Sequence, residues 1–241
     1  MEIKTDAIVL KTIDYKDNDK LLTLFSPSLG KITAGIKGVK KPNAKLAFSA
    51  QPFCFAEYVL AQKGGRYTVT SAYLHESFFS LRTDLTRFYA ACAAAEVCLA
   101  ILYENESYEG LFIGFIECLK ALSLAEGEVA EALITFMIIA LRESGYPLDL
   151  TFLETHGEIG QDGLWFDFST GNFTTRSRCE RGAQASVCTY HVLRQCAGLT
   201  FDEGKIAGGN KRALRLLKAY LTDKTESTFE NLGELIRLYE E

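Results

Sequence analysis

The chain has 241 residues, a formal net charge of −5 and 48% hydrophobic residues. That hydrophobic share excludes an intrinsically disordered chain, and the length admits one large domain or two to three small ones. The net acidity excludes a protein that coats nucleic acid over its whole surface, yet the charge is uneven: residues 1–80 hold eleven Lys/Arg against seven Asp/Glu, and the remainder fifteen against twenty-four.

Residues 3–76 read as β structure. Ile3 to Ile13 is rich in β-branched and apolar residues, and Asp14 to Asp19 is a polar turn. Lys20 to Phe25 alternates imperfectly before the turn Ser26-Pro27-Ser28-Leu29-Gly30. Ile32, Ala34 and Ile36 alternate with Lys31, Thr33 and Gly35, the pattern of a half-buried strand. Gly38 to Ala44 is a basic loop carrying Pro42. Pro52 to Leu60 and Tyr67 to Tyr73 predict two more strands around a Lys63-Gly64-Gly65-Arg66 hairpin turn. Short strands at this spacing suit a small closed barrel; the OB-fold is the commonest that binds nucleic acid, and periodicity alone does not separate it from an SH3-like barrel.

From Asp84 the period becomes helical. Leu85, Phe88, Tyr89, Cys92, Ala95, Glu96 and Leu99 fall at helical spacing, and Leu111 to Leu124 and Val129 to Leu141 predict two further helices. The last of these stops at Gly145-Tyr146-Pro147. Residues 96–131 contain eight Glu and one Lys, so this stretch repels a polyanion and suits protein or water. Leu164, Phe166 and Phe168 alternate among Gly157, Gly160, Gly163 and Gly171, which predicts a small hairpin or ribbon. Helices return over Val187 to Ala197, Gly209 to Thr222 and Thr228 to Glu241, the last with Ser227-Thr228-Phe229-Glu230 as its start signal. The longest apolar stretch, Phe88 to Tyr103, contains Glu96 and is too short to span a bilayer. The opening MEIKTDAIVL lacks the pattern of a signal peptide. The seven cysteines form no dense paired framework; Cys92, Cys98 and Cys118 read as small core hydrophobes of a reduced, cytosolic protein.

The segment Lys31 to Lys45, KITAGIKGVKKPNAK, carries five lysines and no acid. Lys31, Lys37, Lys40, Lys41 and Lys45 lie on one strand and the loop after it, and Lys63 and Arg66 sit on a hairpin that a barrel can bring to the same face. Lysines on a flexible loop suit phosphate, because an ammonium is a point charge that needs no fixed fork. Phe48, Phe53, Phe55, Tyr58 and Tyr67 are near enough in sequence to stack on bases, although Phe53 and Phe55 alternate as core residues do. The competing reading is a solvated face, or an edge strand whose lysines block aggregation.

The block Ala7 to Gly30 (AIVLKTIDYKDNDKLLTLFSPSLG), followed by the Gly-Lys turn and Gly38-Val-Lys-Lys, resembles the opening of the RecO family. The resemblance is strongest over residues 6–42 and runs in order along the whole chain. It implies an α+β, multi-domain protein: an N-terminal OB-fold barrel (1–80), a helical domain in two parts (81–147 and 183–241), and a ribbon-like insertion (148–182). It implies a bacterial, cytoplasmic, nucleoid-associated, non-enzymatic mediator of DNA repair. Such a protein binds single- and double-stranded DNA without sequence specificity, anneals strands and helps load recombinase. The partners it implies are RecR and the tail of the single-strand DNA-binding protein. Many members carry a four-cysteine zinc site in the ribbon, with CxxC pairs about twenty residues apart. Here LETHGEIG (153–160) has no cysteine, and RCERG (178–182) keeps only Cys179. His156 and Glu154 or Glu158 with Cys179 supply three ligands at most, with Cys188 a remote fourth, short of a tetrahedral site, so no cofactor is expected and the ribbon is expected to hold by packing of Leu164, Trp165, Phe166 and Phe168.

A second basic group, Lys205, Lys211, Arg212, Arg215 and Lys218, places Lys211, Arg215 and Lys218 on one helical face. That face either extends a DNA track, receives an acidic protein tail, or is simply solvated. The chain carries no GxxxxGK[ST], HExxH or GxSxG motif, and His75, His156 and His191 are far apart. The rivals to a DNA-binding mediator are a helical protein–protein adaptor with little intrinsic DNA affinity and a hydrolase or nuclease without a recognisable motif.

Overall fold

The computed structural model describes residues 2–124, 128–152, 163–199 and 209–239. The N-terminal part is a closed barrel of β1 (Glu2–Tyr15), β2 (Asp19–Ser26), β3 (Gly30–Ile36), β4 (Phe55–Lys63) and β5 (Arg66–Glu76). The strand order is β1-β2-β3-β5-β4, closed by β4 against β1, and every pair is antiparallel except β3 with β5. This is an OB-like barrel. Strand β4 starts at Phe55 rather than Pro52 because a 3₁₀ turn (Phe48–Ala50) and Phe53, at φ +66°, precede it.

The alternation in the sequence sets the inside of the barrel. Ala7, Val9, Leu22, Leu24, Ile32, Ala34, Ile36, Ala56, Tyr58 and Leu60 form its core. Strands β1 and β2 also bury an outer side: Ile8, Leu10 and Phe25, with Phe53, belong to the core of the helical region. Phe25 meets Phe112 edge to face at 5.1 Å and Phe115 at 6.4 Å. A strand buried on both faces loses strict alternation, which is why Lys20 to Phe25 alternates imperfectly.

The helical region contains α1 (Leu85–Ile101), α2 (Glu109–Ser123), α3 (Val129–Glu143), α4 (Val187–Cys196), α5 (Gly209–Thr225) and α6 (Glu230–Leu238). Helix α1 starts on Asp84, whose carboxylate accepts from the Arg87 amide at 2.8 Å. It packs against α2, α3 and α6. The expected apolar face is not its most buried side. Leu85 is 61% exposed, whereas Ala90, Ala91, Ala93, Ala94, Val97 and Cys98 are fully enclosed. Alanines let neighbouring backbones come close, so a central helix hides its small residues and leaves larger ones near the rim.

The start of α6 differs from the Ser227–Glu230 signal. Phe229 is the capping position and supplies no side-chain bond. Glu96 of α1 does so instead: its carboxylate accepts from the Asn231 amide at 3.0 Å, the Asn231 side chain at 2.6 Å and the Leu232 amide at 3.4 Å. A carboxylate is favourable at a helix N-terminus because it satisfies orphan N–H groups and faces the positive dipole end.

Between α3 and α4 lies a three-stranded antiparallel sheet, order β7-β6-β8, of β6 (Leu164–Asp167), β7 (Asn172–Thr175) and β8 (Gly182–Ala185). The sequence suggested a hairpin; the Gly-Ala-Gln-Ala stretch of β8 has too little alternation to announce a third strand. The sheet shares the helical core. Phe166 contacts Tyr220 at 5.0 Å, and Phe173 contacts Tyr190 at 4.9 Å.

Candidate nucleic-acid interface

The outer side of β3 carries Lys31, Thr33 and Gly35, and Lys37 follows at its end. Their inward neighbours Ile32, Ala34 and Ile36 anchor the strand in the barrel core. Antiparallel pairing with β2 sets Leu21 opposite Gly35 and Thr23 opposite Thr33. Parallel pairing with β5 sets Tyr67 beside Ala34 and Thr68 beside Gly35, so the β4–β5 hairpin with Gly65 and Arg66 stands over one side. The β1–β2 turn contributes Tyr15 and Lys16. Together these enclose a cleft of about 670 Å³. At its floor Gly35 would bring a Cβ no closer than 3.9 Å to any atom, so the glycine leaves open room there.

Of the cations picked out in the sequence, Lys31, Lys37 and Arg66 line this cleft. Lys41 lines an adjoining notch of about 390 Å³ with Lys16 and Lys37. Lys45 and Lys63 are exposed and line neither. Lys40 is turned away: its ammonium donates to Asp14 at 2.6 Å, which also lies 3.8 Å from Lys20. The hydrogen bond from Lys40, followed by the charges of Lys40 and Lys20, holds the Asp14 carboxyl below its ordinary value despite some desolvation. Lys16 and Lys20 are cleft residues that the sequence reading passed over, because Asp17 and Asp19 between them hide their charge in any local count.

The basic loop is a run of turns tied to the barrel. The Gly38 amide donates to Asp19 at 2.8 Å, the Lys40 amide to the Asn18 carbonyl at 3.1 Å, and the Lys41 amide to the Gly38 carbonyl at 3.2 Å. Asp19 is therefore engaged in fixing the loop. Among the aromatics, Phe53 and Tyr58 are core, Tyr58 donating its hydroxyl to the Ser49 carbonyl at 2.7 Å. Phe55 packs on Phe112 and His75. Tyr67 and Tyr15 line the cleft, and Phe48 is 36% exposed away from it.

The second basic group does not form one track. Arg212 and Arg215 line a shallow groove of about 400 Å³ between α5 and β8. Lys218 instead points at Gly233 of α6, and Lys211 is half-buried on the first turn of α5. Lys205 and His156 lie outside the described residues. Cys179 is buried, which pushes its thiol up, as does the Asp167 carboxylate nearby. Among the described residues no three of His, Cys, Asp or Glu converge as a ligand set. Among them also no helix is long and apolar enough to cross a membrane.

Residues 1–78 match the family model "Recombination protein O N terminal", and residues 82–232 match "Recombination protein O C terminal". A protein of Clostridium novyi called DNA repair protein RecO is 36% identical over 146 residues, 61% of this chain and 57% of that protein. Two proteins of the same description, from Acetivibrio thermocellus and Desulforamulus reducens, are 27% and 29% identical. Each aligns over 98% of this chain and over 90% and 94% of its own length.

Proposed function

The chain belongs to the RecO family, and on that premise we propose that it is a DNA-binding mediator of recombination and repair. The observation that carries this reading is the convergence of Lys16, Lys20, Lys31, Lys37 and Arg66 on one cleft of the barrel. The face of strands 2 and 3, flanked by the β1–β2 and β4–β5 loops, is where OB-folds take oligonucleotides. Lysines spaced along a strand and its flanking turns meet phosphates without reading bases. Tyr15 and Tyr67 offer stacking surfaces that suit any base. A strand held this way has part of its phosphate charge shielded, so a complementary strand approaches against less repulsion; that is the physical basis of annealing. No cofactor enters this reading. Loading of recombinase with RecR, and recruitment through the tail of the single-strand DNA-binding protein, complete the proposed role.

Fluorescence anisotropy with labelled oligonucleotides of unrelated sequence tests it. Affinity is expected to be sequence-independent, and log affinity to fall linearly with log salt, by about 0.7 per phosphate contact on a single strand. Binding that ignores salt, or no binding at all, overturns the proposal.

A second reading, a protein–protein adaptor, draws on one observation. An apolar groove of about 980 Å³ between the barrel and the end of α2 is lined by Phe55, Phe79, Ile116 and Leu124. Phe79 and Leu124 are each 65% exposed. This reading expects capture of RecR or of the single-strand DNA-binding protein by a chain that has no measurable DNA affinity.

A further inference from the structure

The cleft is not closed by the barrel alone. Glu104 and Asn105 also line it, and both come from the connection between α1 and α2. That connection is pinned to the β2–β3 turn by backbone bonds. The Lys31 amide donates to the Tyr103 carbonyl at 3.0 Å, the Asn105 amide to the Leu29 carbonyl at 2.9 Å, and the Tyr108 amide to the Pro27 carbonyl at 2.8 Å. Gly30 and Glu104 form an isolated antiparallel bridge. Gly30 makes the approach feasible: it sits at φ +63°, and a Cβ there would run into the carbonyls of Tyr103 and Glu106. Asn105, at φ +61°, is itself in the left-handed region and turns the chain back. The helical region thus holds its α1–α2 connection against the barrel by a single β-bridge and carries an acid to the end of a basic cleft.

The other acid in the cleft, Asp19, is occupied by the Gly38 amide. Neighbouring Glu106 accepts from the Tyr108 hydroxyl at 2.8 Å and does not line the cleft. Glu104 is exposed, and among the described residues no ion pair engages it. A carboxylate fixed there repels phosphate within a Debye length.

Taking the barrel cleft as the DNA site, we infer that Glu104 limits the strand. It closes the β2–β3-turn end of the cleft to phosphate, so a bound strand runs between the β1–β2 turn and the β4–β5 hairpin and stops short of the helical region. It also holds affinity below what the surrounding cations alone would give, which favours release of a strand that has to be handed on.

The test compares the full-length protein with Glu104→Gln, Glu104→Lys, Glu106→Gln and Lys31→Glu, using a length series of labelled oligo(dT) at low and at moderate salt. Glu104→Gln is expected to tighten binding about threefold at low salt and less as salt rises. Glu104→Lys is expected to tighten it further and to lengthen the shortest oligonucleotide that reaches full affinity. Glu106→Gln is expected to match the unaltered protein. If Lys31→Glu weakens binding while Glu104→Gln changes nothing, the inference fails and the DNA site stands. If the two glutamine variants tighten binding equally, the effect is one of net charge and the inference fails. If the unaltered protein binds no oligo(dT), the DNA site itself is refuted.

Discussion

The barrel and the helical region both carry clustered cations, and they treat them differently. In the barrel, strand alternation forces Lys31 outward while Ile32 is locked inward, and closure brings Arg66 alongside. The cations therefore line the concavity of a sheet. On α5 the cations Lys211, Arg212, Arg215 and Lys218 wind around a convex rod whose other side is held in the core by Leu214, Leu216 and Leu217. Arg212 and Arg215 look toward β8 while Lys218 looks toward α6. A concave sheet focuses positive potential on one strand of nucleic acid, whereas a helix surrounded by partners disperses it.

The strongest way to break this comparison is to separate the two regions. Phe25 on the outer side of β2 is inserted between Phe112 and Phe115 of α2. Phe25→Ala is expected to cost about 3–5 kcal/mol in urea denaturation, because it leaves a cavity at the seam. A loss under about 1 kcal/mol would mean that the regions are only loosely joined.

Next in size, the triple change Lys31→Glu, Lys37→Glu, Arg66→Glu is expected to weaken oligonucleotide binding about a hundredfold or more at low salt. Lys211→Glu, Arg215→Glu, Lys218→Glu is expected to change it by less than about threefold, since those cations share no concavity. Equal losses from the two triples would erase the distinction between the regions.

Glu96→Ala sharpens the helical side. Losing the side-chain cap that Glu96 gives α6, 135 residues away in sequence, is expected to cost about 1–2 kcal/mol and to raise amide exchange at Asn231 and Leu232 first. The ribbon adds a pH dependence. Burial alone would raise the Asp167 carboxyl, but the amides of Glu180 and Ser169 outweigh it and hold it below the ordinary value of 3.8. A carboxyl with a depressed folded pKa stabilises above its unfolded pKa, and that contribution disappears as pH falls through the folded value. The difference in stability between the unaltered protein and Asp167→Asn, followed by denaturation from pH 6 downward, is therefore expected to hold above about pH 4 and to shrink below it.

The smallest effect belongs to Lys40. With its ammonium on Asp14, Lys40→Ala is expected to change DNA affinity less than about twofold, although it sits in the most basic segment of the chain. A large loss would show that the Lys40–Asp14 pair opens to meet phosphate.

Neighbour-to-neighbour chemistry was enough to mark the β3 alternation, the turn at Ser26–Gly30, the break to helical period near Asp84 and the Val129 helix with its Gly145-Tyr146-Pro147 stop. Each depends on residues within a few positions of one another, and periods of 2 and 3.6 express that directly. Tertiary structure alone decided that Arg66 joins Lys31 and Lys37 in one cleft, that Lys40 turns to Asp14, that Glu96 caps α6, and that Glu104 reaches the cleft of the barrel. Those contacts join residues dozens of positions apart. They arise from strand closure and helix packing, which a local pattern permits but does not specify.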